Sequence, residues 1–188
     1  GVNMYSENAK VTDQAGATVI NNSNLAEQMQ AIGEYTVTCV GADGQTKWEE
    51  KFKNLVVTVG KNDMLTQYFT AASYAAAWYM GLVDGASSPS YSASDTMASH
   101  TWTEYTNYSA STRPAPSWGS ASGGSLSTTA TSYSINSSGG TVAGAFMVTN
   151  STKGGITGTL YSAGNFTGGS RTVVSGDTLN VTYTATLT

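Results

Sequence analysis

Ala130-Thr131-Ser132-Tyr133-Ser134-Ile135-Asn136, Thr141-Val142-Ala143-Gly144-Ala145-Phe146-Met147-Val148-Thr149, Thr157-Gly158-Thr159-Leu160-Tyr161-Ser162 and Thr178-Leu179-Asn180-Val181-Thr182-Tyr183-Thr184-Ala185-Thr186-Leu187 decide the fold. Each is a short apolar run threaded through Ser, Thr, Asn and Gly. Between them lie turn-forming stretches, Ser137-Ser138-Gly139-Gly140, Lys153-Gly154-Gly155 and Gly168-Gly169. Glycine accepts the backbone angles of tight turns, and Ser and Asn bond locally to the backbone. Strands of this length and spacing predict a mainly β chain, an antiparallel β-sandwich or jelly-roll-like domain.

The upstream sequence agrees. Glu34 to Val40 alternates in strand fashion, Ala42-Asp43-Gly44-Gln45 carries an Asp-Gly turn, and Thr46 to Phe52 returns with Trp48 and Phe52 on one face. This hairpin, 34–53, holds the densest charge cluster, so one face should be solvated. Asn54 to Gly60 is β-branched and reads as a strand or extended segment. A short helix should open at Lys61-Asn62-Asp63, capped by Asn62 or Asp63, and end near Ala72. Leu65, Tyr68 and Phe69 would share its apolar face. Tyr74 to Val83 is the most apolar run and reads as a buried central strand, with a short helix as the alternative. Asp84 to Ser94 is a Gly/Ser/Pro loop. Thr101 to Tyr105 alternates, with Trp102 and Glu104 facing one way. Pro114 and Pro116 lack N–H donors, so Arg113 to Trp118 fits a sheet edge or an extended segment.

Residues 1–33 are polar and amide-rich. Leu25, Met29 and Ile32 recur at helical spacing, which allows one short helix over 25–32. The remainder has too little apolar surface to offset its own ordering entropy and reads as an extended N-terminal arm. The expected organisation is that arm, 1–33, followed by a single β-sandwich domain, 34–188.

Charge then narrows the function. Between Tyr105 and Thr188 only Arg113, Lys153, Arg171 and Asp177 are charged. The whole chain is 11% charged, against about a quarter in an ordinary soluble domain. Such a surface suits a protein that lies against other proteins, because few ions need desolvating when the contact forms. The net charge is −4, the wrong sign for a nucleic-acid footprint. No apolar stretch reaches the roughly 20 residues of a membrane span. Cys39 is the sole cysteine, so no intrachain disulfide can form, and its place in an alternating strand reads as a small buried hydrophobe.

A search for chemistry finds no motif. His100 is the only histidine, and one His with one Cys makes no metal-ligand pattern. A Ser-His-acid triad from His100 with Asp95 or Glu104 lacks the Gly-x-Ser-x-Gly elbow, and His100 beside Trp102 reads as a hydrogen-bonded structural residue. Glycoside hydrolysis needs two carboxylates about 5 to 9 Å apart, and nothing local selects a pair from Asp84, Asp95 and Glu104. Asp84 and Asp95 read as turn residues, and Glu104 as part of a solvated strand face. Gly60-Lys61 lacks the rest of a phosphate loop. No catalytic, cofactor-binding or metal-binding residue is assigned, and no cofactor is expected. Trp78, Tyr79, Trp102, Tyr105, Tyr108 and Trp118 could line a sugar platform, but aromatics on a β-sandwich are more often core or subunit interface.

Several stretches carry a family resemblance. They are Lys53-Asn54-Leu55-Val56-Val57-Thr58-Val59-Gly60-Lys61-Asn62-Asp63-Met64-Leu65, Ala76-Ala77-Trp78-Tyr79-Met80-Gly81-Leu82-Val83, Asp95-Thr96-Met97-Ala98-Ser99-His100-Thr101-Trp102-Thr103-Glu104, Thr112-Arg113-Pro114, Ser151-Thr152-Lys153-Gly154-Gly155 and Gly176-Asp177-Thr178-Leu179-Asn180-Val181-Thr182-Tyr183. Together, over roughly 47–188, they resemble a family of tailed-bacteriophage virion structural proteins with no known catalytic residues. The resemblance implies a virion component. With the polar arm and the quiet surface, the expectation is a capsid decoration (cement) protein on the outer surface of the head. Its partners would be the phage major capsid protein and copies of itself, with neither nucleic acid nor membrane. The alternative is a tail, neck or receptor-binding module whose aromatics bind carbohydrate.

Overall fold

The computed structural model describes residues 29–70, 77–86, 88–136 and 138–188. β1 (Ala31–Val40) and β2 (Thr46–Val56) form the expected hairpin. Gly44 takes φ +79° at the turn, and Asp43 Oδ1 accepts the N–H of Gln45 at 3.0 Å. The chain continues through one helix, α1 (Thr58–Phe69), to β3 (Tyr79–Asp84) and β4 (Glu104–Tyr105). Then come β5 (Ser125–Ser127), β6 (Thr131–Ser134), β7 (Gly140–Val148), β8 (Leu160–Asn165), β9 (Arg171–Val173) and β10 (Thr178–Leu187). The expected mainly β class with one helix is correct.

The ten strands form one antiparallel, unclosed sheet in the order β4-β3-β7-β8-β2-β1-β10-β5, with β6 also on β10 and β9 on β7. β2 is the corner. Its residues up to Asn54 pair with β1, whereas Leu55 and Val56 pair with β8. The sheet folds over there, and its two halves face each other as a sandwich. Tyr133 Oη on β6 donates to Met80 O on β3 at 2.8 Å, and Tyr35 Oη on β1 meets Ser162 Oγ on β8 at 3.1 Å. Tyr35, Val37, Phe52, Leu82, Met147 and Val181 fill the space between the halves.

The strands expected over 130–136, 141–149 and 178–187 appear as β6, β7 and β10. The one expected over 157–162 begins later, at Leu160, and β5 and β9 are additions. The buried strand expected over 74–83 is β3, with Met80 to Val83 fully inside; Tyr74 to Ala76 lie outside the described residues. Residues 1–28 of the expected arm also lie outside them. From Ala31 the chain is already strand, paired with Leu187 of β10, so the helix allowed over 25–32 does not include Ala31 and Ile32. The sandwich accordingly starts before the expected boundary at 34.

Two further corrections bear on function. α1 starts at Thr58 rather than near Asn62, with no side-chain cap; Val57 precedes it. Its first turn is fixed from outside: Val57 N–H bonds Tyr161 O at 3.1 Å, and Thr58 N–H bonds Ala93 O at 2.8 Å. Gly60 lies against the backbone of Tyr161, so the helix docks on β8 through a residue without a side chain. The second correction concerns the helix face. Leu65, Tyr68 and Phe69 turn outward, at 41%, 81% and 70% exposure.

The Gly/Ser/Pro loop and the residues that follow it, as far as Trp102, form a strap over the outer face of β3, β7 and β8. Met97 and Trp102 bury there against Val83, Phe146 and Val148. Asn165 ties the strap down, accepting from Tyr91 Oη at 2.6 Å and donating to Pro89 O at 2.8 Å. Trp102 therefore sits in a second core, and the segment before Glu104 is bend rather than strand.

Candidate functional site

Beside α1 the open end of the sandwich forms a groove of about 590 Å³. Met64, Gln67 and Tyr68 of α1 make one wall. Trp78, Trp118 and Leu126 make the other, and Met147, Tyr161, Tyr183 and Ala185 form the floor. The rings meet edge-to-face: Trp78 on Tyr161 at 5.5 Å, Tyr161 on Tyr183 at 6.4 Å, and Trp118 on Tyr183 at 6.2 Å. That arrangement suits aromatic quadrupoles and fixes the floor. Burial pushes the Tyr161 and Tyr183 phenols above their ordinary range, so both remain neutral at physiological pH. The non-aromatic polar lining consists of Gln67 and Asp63, and Gln67 Nε2 donates to Asp63 Oδ1 at 3.3 Å.

Such a lining accepts apolar side chains. A sugar carries hydroxyls around its ring, and each one buried without a partner costs about 1–3 kcal/mol. Of the aromatics considered for a sugar platform, Trp102, Tyr105 and Tyr108 are core, while Trp78 and Trp118 are half-buried at the groove.

The residues considered for catalysis have separate structural partners. His100 Nδ1 bonds Trp102 O at 2.7 Å, and its ring stacks on Trp102 at 3.8 Å. Asp95 accepts Ser92 N–H at 3.1 Å, and Asp84 accepts Ala86 N–H at 2.7 Å, as turn residues do. Glu104 is not on a solvated face: it is buried and forked onto Arg113, whose side chain is 0% exposed. No hydrogen bond or ion pair among the described residues joins any two of His100, Asp84, Asp95 and Glu104. Among those residues, no three His, Cys, Asp or Glu side chains converge as metal ligands. Cys39 is fully buried, and its thiol is pushed up to about 11 by that burial, with Asp177 adding to it.

All four charges between Tyr105 and Thr188 have partners within the chain, Arg113 and Asp177 buried and Lys153 and Arg171 half-buried. Arg113 Nε and Nη2 donate to Glu104 at 3.0 and 2.7 Å. Arg171 Nε donates to Glu50 at 2.7 Å. Asp177 accepts from Lys47 at 2.7 Å. Lys153 donates to Tyr108 O and Ala110 O at 2.9 and 2.6 Å and lies 4.4 Å from the Tyr108 ring centre. Sequence reasoning found these residues to be rare but not that the fold gives each one a partner, since most of those partners lie far along the chain.

No family model matches the chain, and no curated protein or solved structure matches it significantly.

Proposed function

We propose that the protein is a non-enzymatic structural component of a phage virion, a decoration protein that binds the outside of the assembled head and bridges capsomers. The observation that carries this reading is that every charge from Tyr105 onward is held by partners within the chain, three in ion pairs and Lys153 on two backbone carbonyls and the Tyr108 ring. What this segment offers for contact is a hydrogen-bonding surface with few free charges, while the 34–53 hairpin keeps its exposed ones. A surface of that kind associates without desolvating free ions. A protein that binds only the assembled lattice stabilises it by mass action, and many modest contacts act together. The sparse polar lining of the groove favours protein contact over the carbohydrate-binding alternative.

The test is to wash purified particles. Contacts of this chemistry respond weakly to screening, whereas exposed ion pairs are largely screened beyond a Debye length of about 8 Å. The protein should stay on particles in roughly 1 M NaCl and leave in urea before the shell opens. Release by salt alone would contradict the reading.

A further inference from the structure

We infer that the face made by α1 and the groove pairs with the same face of a second copy of this chain, giving a two-fold dimer. The inference stands apart from the virion reading. A two-fold contact demands a surface complementary to itself, with projection and recess side by side. Here Tyr68 and Phe69 project from the last turn of α1, perpendicular to each other at 5.0 Å. The groove opens directly beside them, with Tyr68 as part of its rim. A rotation that places one copy's aromatic pair in its partner's groove returns the same contact the other way.

Charge and area agree. The groove's sole charged lining residue is Asp63, which accepts a hydrogen bond from Gln67, so two copies of a −4 chain can meet there with little repulsion. At about 150–250 Å² per aromatic side chain, Tyr68 and Phe69 offer roughly 200–400 Å² at their observed exposure. With Leu65 and the groove walls, each copy contributes about 500 Å², and the pair about 1,000 Å², the lower edge of a specific interface. Interfaces at that edge are weak or transient, and area alone does not fix their affinity.

The experiment is sedimentation velocity of the full chain from about 1 to 300 μM, wide enough to register a weak dimer. Two variants accompany it: Tyr68→Ser with Phe69→Ser, which removes the projection, and Leu126→Lys, which blocks the groove. Unchanged far-UV circular dichroism and urea midpoint show that each variant still folds. The parent should dimerise, and each variant should weaken the dimer at least about tenfold. An equimolar mixture of the two should associate more strongly than either alone, because the mixed pair keeps one of the two contacts. A chain that stays monomeric overturns the inference and leaves the face to a partner of different sequence or to residues 1–28. A higher oligomer, a dimer indifferent to both variants, or a mixture no stronger than its components overturns it equally.

Discussion

Replacing Arg113 with Met removes the guanidinium and keeps most of the aliphatic stem. The side chain is 0% exposed and Glu104 only 7%. Arg113 gives Glu104 two hydrogen bonds and also bonds Asn150 O at 3.0 Å and Gly155 O at 2.6 Å, with its guanidinium 5.2 Å from the Phe146 ring centre. The variant leaves a buried carboxylate whose remaining hydrogen bond comes from Gly154 N–H, at 2.7 Å. Breaking a buried pair from one side costs about 3–5 kcal/mol. Asn150 and Gly155 are only partly buried, so water recovers much of what their carbonyls lose. A net loss of about 4 kcal/mol follows, a large share of the 5–15 kcal/mol of a typical domain. At about 2–4 °C per kcal/mol for a chain of this size, Tm should fall by about 8–16 °C. Adding Glu104→Gln neutralises the stranded charge and keeps an acceptor for Gly154, so the double variant should regain more than half of the loss. Urea unfolding followed by tryptophan fluorescence measures both. A single variant costing under about 1 kcal/mol, or a double variant no better than the single, would refute the reasoning that a stranded buried carboxylate sets the cost.

Gly60→Ala should destabilise by about 1–3 kcal/mol, although alanine is the better helix former by about 1 kcal/mol. Its Cβ would lie 2.6 Å from Tyr161 O, a backbone atom that cannot rotate away; a raised urea midpoint would contradict the docking described. Cys39 should resist a thiol reagent at pH 8 in the folded protein and react fully once urea unfolds it; rapid native labelling would show the strand to be open. Asp177 supplies a pH dependence. Burial alone would raise its carboxyl, but the hydrogen bonds from Lys47 and Val174 N–H outweigh it and hold the group below its ordinary value. A depressed folded value adds stability above the unfolded value, about 3.9, which is lost as pH falls through the folded one. Asp177→Asn should therefore flatten the acid limb of the stability curve below about pH 4, and an unchanged limb would remove Asp177 from the account.

Local pattern made much of the sheet legible. The hairpin could be read because alternation in Tyr35, Val37 and Cys39 and the Asp43-Gly44 turn are adjacent in sequence. β10 could be read from its own run of alternating residues. What stayed hidden depends on distant partners. α1 starts early because Tyr161 and Ala93, far along the chain, take its first N–H groups. The Gly/Ser/Pro loop and the residues after it become a strap because Asn165 anchors the loop and Met97 and Trp102, just beyond it, find the sheet's outer face. Arg113 read as one of four rare charges at the start of an edge or extended segment, and only the fold brings it to Glu104, Asn150 and Gly155. The groove was the least legible part. Trp78 and Trp118 are forty residues apart, and they share a site only because sheet and helix bring them to one end of the sandwich.

The central proposal is that this chain decorates the outside of a protein shell, and a density map of the intact particle tests it most directly. The account predicts a β-sandwich on the outer face of the head, straddling capsomer boundaries, at a copy number comparable with that of the major capsid protein. The same sandwich found only in the tail or neck, at a small fraction of that number, or missing from the particle, would contradict it.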